Sequence, residues 1–133
     1  MRPESAFWQR IRGPLAKHAP GDWQRHEPGT GGIPGVPDVN ACVRGREFWV
    51  ELKVVARGKQ VGLRPSQVAW HTRRAQHGGR SWILANVVRT GEIWLWPGRD
   101  ARAVLEHGLD QWPRLALPGP WDFETLAREL RKG

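Results

Sequence analysis

Stretches with a helical period alternate along the chain with stretches of period two, and Gly and Pro mark most of the changes between them. From Glu4 to His18, Phe7, Trp8, Ile11 and Leu15 recur at spacings of three and four, which predicts an amphipathic helix that Gly13-Pro14 should break or kink. Trp23 to Glu27 reads as a short strand and the Gly- and Pro-rich stretch from Pro28 to Pro37 as a loop. Pro37 to Val43 and Arg46 to Val55 alternate as strands around Arg44-Gly45, a two-residue hairpin signal with Gly in second place. Pro65 fits the first turn of a helix that runs to about Gln76 and is stopped by Gly78-Gly79. Ser81 to Val88 and Glu92 to Trp96 form a second hairpin about Thr90-Gly91. Asp100 to His107 is a short helix, and Asp122 is the N-cap of a last one carrying Phe123, Leu126, Ala127 and Leu130. This order predicts an α/β or α+β fold around a mixed sheet.

The strand alternation also sorts the chemistry. Trp49, Glu51 and Lys53 fall on one face of their strand, while Phe48, Val50, Leu52 and Val54 form an apolar face. In the preceding strand Asp38, Asn40 and Cys42 lie opposite to Val39, Ala41 and Val43. If Arg44-Gly45 is the loop, Val43 pairs with Arg46, and counting outward sets Asp38 across from Glu51. Two carboxylates so close repel unless a cation lies between them. Magnesium fits, because it takes hard oxygen ligands from one or two carboxylates and leaves positions for water and phosphate oxygens. Lys53, on the same face, would orient an attacking water and offset charge on a phosphate.

Composition narrows the partner. A chain of 133 residues is about one domain, with a core over roughly 4–96 and a helical extension over roughly 97–133. Its 21 Lys and Arg against 13 Asp and Glu give a net charge of +8, which attracts polyanions. The excess of Arg over Lys suits phosphate recognition, and base composition of the coding DNA explains it equally well. Nine Trp and three Phe supply bulk for a packed core and argue against disorder. The single Cys42 allows neither an internal disulfide nor a CxxC pair, which suits a reducing compartment. No apolar run approaches the ~20 residues of a membrane span, and the first twenty residues lack a signal-peptide core, so a cytoplasmic protein is expected. The five histidines show no metal-ligand spacing, since His71 and His77, six apart, fall on different faces of their helix.

Gly35-Val36-Pro37-Asp38, a strand, and then Phe48-Trp49-Val50-Glu51-Leu52-Lys53 resemble the PD-(D/E)xK nuclease superfamily, which includes restriction endonucleases and archaeal Holliday junction resolvases. Within it the pattern is most similar to the small, often phage-encoded VRR-NUC-type nucleases, where a helix bearing a Gln follows; Leu63-Arg64-Pro65-Ser66-Gln67 supplies it here. The resemblance spans about residues 4–88. It implies a restriction-endonuclease-like core, a central mixed sheet of about four to five strands flanked by helices. It also implies Asp38 and Glu51 as metal ligands together with the backbone of Leu52, Lys53 as the catalytic lysine, and Gln67 as a residue that either supports the metal ligands from behind or orients the water. A Glu of the first helix joins the metal in many members; Glu4 is the candidate here and Glu27 its rival.

The expected activity is therefore that of a Mg2+-dependent endonuclease, with Mn2+ as a substitute, acting on DNA and preferring branched forms such as a four-way junction. A resolvase of this kind implies a homodimer, and a replication or recombination partner protein is a further expectation. The competing class is a non-catalytic basic DNA-binding domain that keeps the nuclease-like fold, and RNA as substrate stays open. Lys59, Arg64, Arg73, Arg74 and Arg80 are the expected backbone contacts, and Trp49 is a candidate for stacking on a base or sugar.

Overall fold

Helix α1 covers Pro3–His18 and buries Phe7, Trp8, Ile11 and Leu15, the stripe its spacing announces. The expected break at Gly13-Pro14 does not occur: Pro14 lies inside one uninterrupted helix. An interior proline costs about 3 kcal/mol. Full burial of a Leu or Ile side chain contributes about 1.5–3 kcal/mol, and Ile11 and Leu15 on either side of Pro14 are only 0% and 1% exposed. Tertiary packing therefore holds the last turn against its local propensity.

The computed structural model describes residues 2–26 and 33–132. Glu27 and the first part of the expected Gly/Pro loop, residues 28–32, lie outside the described residues. Strand β1 is Asp22–Arg25. The hairpin of β2, Val39–Val43, and β3, Arg46–Val55, has the register read from the sequence, with Val43 opposite Arg46 and Val39 opposite Val50. Arg44 at φ 52° and Gly45 at φ 79° both take the left-handed conformation that a two-residue hairpin turn requires. Helix α2, Pro65–Gln76, crosses over to β4, Ser81–Val87, which runs parallel to β3. Then come β5, Glu92–Pro97, α3, Ala101–His107, β6, Leu115–Leu117, and α4, Phe123–Leu130, whose N-terminal N–H groups meet the Asp122 carboxylate as expected.

The strands lie in the sheet in chain order, β1 through β6, antiparallel except for the β3–β4 pair. Six strands replace the expected four to five. The three residues of β6 are too few to display a period of two, and an edge strand tolerates the prolines around it. Residues 97–133, expected as a helical extension, thus also supply a strand and complete the sheet. One face carries Val39, Ala41, Phe48, Val50 and Leu52 against α1 and α4; the other carries Val55, Ile83, Ala85 and Trp96 in a cluster with residues of α2 and α3. Among the described residues, no helix is long and apolar enough to cross a membrane.

Candidate active site

Asp38 enters the site at the point where the β2–β3 ladder stops. Gly35, at φ 86°, brings the approach to it against the first turn of α2 so closely that a Cβ would run into the Ser66 carbonyl, which explains the glycine. Beyond Val39, the Asp38 carboxylate replaces a strand partner: its Oδ2 accepts the Leu52 N–H at 2.7 Å. The N–H and C=O of one strand residue point the same way, so the Leu52 carbonyl also faces the Asp38 side.

Glu51 lies in the middle of β3 and is 2% exposed. Two residues one turn apart on α2 approach its two oxygens. Gln67 Nε2 donates to Oε2 at 3.1 Å, and His71 Nε2 stands 3.5 Å from Oε1. The other end of the Gln67 amide accepts from Lys53 Nζ at 3.0 Å and from the Arg64 N–H at 2.8 Å, and Lys53 Nζ donates also to the Gly62 carbonyl at 3.1 Å. A carboxylate on one side and a cation on the other fix which way the amide points. On its far side His71, itself 0% exposed, pairs Nδ1 with Ser81 Oγ at 2.7 Å. Gly98 closes over that pair, and a Cβ there would overlap Ser81 Oγ.

Burial dominates the electrostatics. It pushes the Asp38 carboxyl up to about 7, helped by the charge of Glu51 and opposed by the Leu52 N–H and by Arg25. It pushes Glu51 up to about 7 as well, against the lowering pull of Lys53, of the hydrogen bond with Asp38 and of Arg64; the charge of Glu4 adds to the rise. His71 is pulled down to about 4, by burial first and the charge of Lys53 second, so it is neutral at pH 7. Two buried carboxyls poised near neutrality need a proton or a cation between them. Among the described residues there is no cluster of three or more His, Cys, Asp and Glu side chains suited to a metal. The available donors are two carboxylates and a strand carbonyl, and Glu51 Oε1 is buried without a hydrogen-bond donor. That hard, oxygen-only set suits magnesium and disfavours zinc.

Asp38, Glu51, Gln67 and Lys53 thus form a chain of contacts in that order, Asp38 against Glu51, Glu51 against Gln67 and Gln67 against Lys53. Glu4, in the first turn of α1 and half-buried, is near enough for its charge to act on Glu51; its rival Glu27 lies outside the described residues. Arg64 precedes α2 and its charge reaches Glu51. Arg73 and Arg74 are exposed on α2 and border a cavity of about 390 Å3 with Trp70, Arg74 lying 4.5 Å from the Trp70 ring centre. Arg80 Nε donates to the Glu47 carbonyl at 3.4 Å. Lys59 is paired with Asp110, beyond α3. Trp49 keeps to the predicted face but packs between His26, stacked at 5.3 Å, and Trp70, edge-on at 5.5 Å.

His71 and Ser81 are the site residues that sequence reasoning missed. A search for histidines paired with histidines passes over His71, whereas its spacing of four from Gln67 is the signal that places both on one face of α2.

No protein-family model matches the chain, and no curated protein is similar to it. Among solved structures it is similar to that of Hjc, a Holliday junction resolvase from the archaeal hyperthermophile Archaeoglobus fulgidus. The TM-score is 0.59 at 14% identity, over 92% of this chain and 98% of that one. The fold is that of this resolvase.

Proposed function

We propose that the protein is a magnesium-dependent endonuclease that hydrolyses phosphodiester bonds in DNA, with branched DNA as its substrate. The observation that carries this reading is the buried Asp38–Glu51 pair, both carboxyls raised to about 7, with Lys53 tied to Glu51 through Gln67. Such a pair is an unfavourable way to build a core and a suitable way to hold a divalent cation beside a phosphate. The likeness in fold to a Holliday junction resolvase favours branched DNA over linear duplex. The Gly-Val-Pro-Asp approach and Gln67 favour the VRR-NUC type within the PD-(D/E)xK superfamily.

Asp38, Glu51 and the Leu52 carbonyl would hold Mg2+, which when bound polarises the scissile phosphoryl group and makes water a better nucleophile. Gln67 fixes both the Glu51 carboxylate and the Lys53 ammonium, so acid and cation keep a constant spacing. Lys53 orients the attacking water and offsets the negative charge that grows on the phosphate. Direct attack by water predicts inversion at phosphorus. Resolution of a four-way junction needs two cuts, which two copies of the chain would make in a homodimer.

The test is incubation with a labelled four-way junction, a flap and a linear duplex, in Mg2+, in Mn2+ and in EDTA, beside Lys53→Ala. Cleavage that needs the metal, disappears in the variant and favours the junction is the expected result. Tight binding with no cutting in either metal would overturn it and leave a DNA-binding domain of nuclease-like fold.

A further inference from the structure

A second cavity, of about 230 Å3, opens where α2 ends and β4 begins, and Ser81 and Gly98 form part of its wall. Four cations from distant parts of the chain border it: Arg80, Arg99, Arg114 and Lys132. Among the described residues no carboxylate does. Glu129 answers only two of them, accepting from Arg114 Nη1 at 3.0 Å and pairing with Lys132 Nζ at 3.2 Å. Arg80 and Arg99 form no ion pair among the described residues, and the one side-chain hydrogen bond of Arg80 among them goes to a neutral carbonyl. Three arginines and a lysine around one concave surface, with a single carboxylate beside them, outnumber their counter-charge, and guanidinium groups fit the fork geometry of a phosphate.

The cavity is separate from the scissile site, since none of Asp38, Glu51 and Lys53 borders it. It is also adjacent: Ser81 in its wall holds His71, and His71 reaches Glu51. We propose that it seats a backbone phosphate of the bound nucleic acid, one displaced along the strand from the phosphate being cut. Arg99, Arg114 and Lys132 then join Arg80 as contacts, which gives the last third of the chain a part in holding substrate. This rests on the reading of the protein as one that acts on nucleic acid, and it does not require that cleavage occur.

The experiment measures binding of the full-length protein to a short duplex and to a four-way junction in EDTA, across a salt series. Wild type is compared with Arg80→Ala/Arg99→Ala and with Arg12→Ala/Lys17→Ala, which removes two exposed charges from α1, neither of which borders the cavity. Each phosphate that the protein no longer neutralises should lower the slope of log affinity against log salt by about 0.9. The Arg80/Arg99 variant should show that decrease and the α1 variant should not. Amide resonances of Gly79 and Gly98 should shift on adding duplex and stay in place on adding an equal concentration of inorganic phosphate. Equal decreases in both double variants would mean that net charge alone matters and would overturn the proposal. Shifts with inorganic phosphate and none with DNA would overturn it in favour of a free anion. A protein that loses binding in the Arg80/Arg99 variant yet never cleaves would retain this site and lose the nuclease reading; one that cleaves but binds DNA unchanged in that variant would do the reverse.

Discussion

Gln67 donates its amide N–H to Glu51 Oε2 at 3.1 Å, while its carbonyl oxygen receives Lys53 Nζ at 3.0 Å. One neutral side chain therefore sets the distance between the acid and the cation that the proposed chemistry needs at once. Lys53 and Glu51 lie two apart on the same face of a strand, and without the amide the lysine would be held by the Gly62 carbonyl alone, with no link to the acid.

Gln67→Leu should lower kcat by about 10- to 100-fold, the range seen when a partner that orients metal ligands is removed. KM for junction DNA should change little, because Gln67 is buried and does not present itself to substrate. Single-turnover kinetics beside a binding isotherm would separate the two.

His71→Phe should cost about 1–3 kcal/mol of stability, since Ser81 Oγ loses its partner and Glu51 loses its neighbour in a dry setting. His71→Asn, which can still reach one of them, should recover part of this. Urea midpoints report stability, and Mg2+ affinity by calorimetry without DNA reports the orientation of Glu51. A purely structural histidine would leave the second quantity unchanged in any variant that folds.

In EDTA, stability should decline as pH rises from about 4 to about 7. Asp38 and Glu51 hold protons more firmly in the folded state, from ordinary values of 3.8 and 4.5, so the folded protein binds more protons across that window and loses stability as they leave. His71 acts the other way: lowered from 6.5 to about 4, it favours folding as the unfolded chain gives up its proton. Two carboxyls against one imidazole leave a net decline, moderated by Lys53, Arg64 and Arg25 and sharpened by Glu4. Mg2+ at ten times its Kd should restore about 1.4 kcal/mol at pH 8. Asp38→Asn should flatten the pH profile and abolish the response to Mg2+. Urea denaturation across the series measures both.

Gly98→Ala should destabilise the protein by about 1–3 kcal/mol through overpacking, because its methyl group would meet Ser81 Oγ and lie 2.9 Å from His71 Nδ1. Relief by Ser81→Ala in the double variant, seen as a recovered melting temperature, would place the clash where the structure does.

Much of the site was legible because the chemistry lies on strands. A period of two, one Arg-Gly turn and a count outward put Asp38 across from Glu51 and Lys53 beside it; the strand pairing stops one step short, at Val39 and Val50, and Asp38 meets Glu51 through its side chain, with its carboxylate on the Leu52 N–H. What the sequence hid depends on long-range packing. Pro14 reads locally as a break, yet Ile11 and Leu15 carry the helix through it. β6 gains strand structure only by lying against β5. His71 and Ser81 are ten residues apart on different elements, and nothing in their spacing says that α2 folds back so that one meets the other over Gly98. The C-terminal cations resemble scattered surface charges until Arg99, Arg114 and Lys132 surround one cavity.

The tight turn at Arg44-Gly45 anchors a register that has a parity. Side chains alternate across the sheet, so a slip of β2 against β3 by one residue would leave the partner of every β3 position pointing to the opposite side, sending Asp38 toward α1 and a valine or proline toward Glu51. A residue inserted at the turn is tolerable where the loop absorbs it, as a three-residue loop can, with Val43 still opposite Arg46. One that instead moved the register by an odd step, made six residues from Asp38 and without touching any side chain of the site, would dismantle the carboxylate pair.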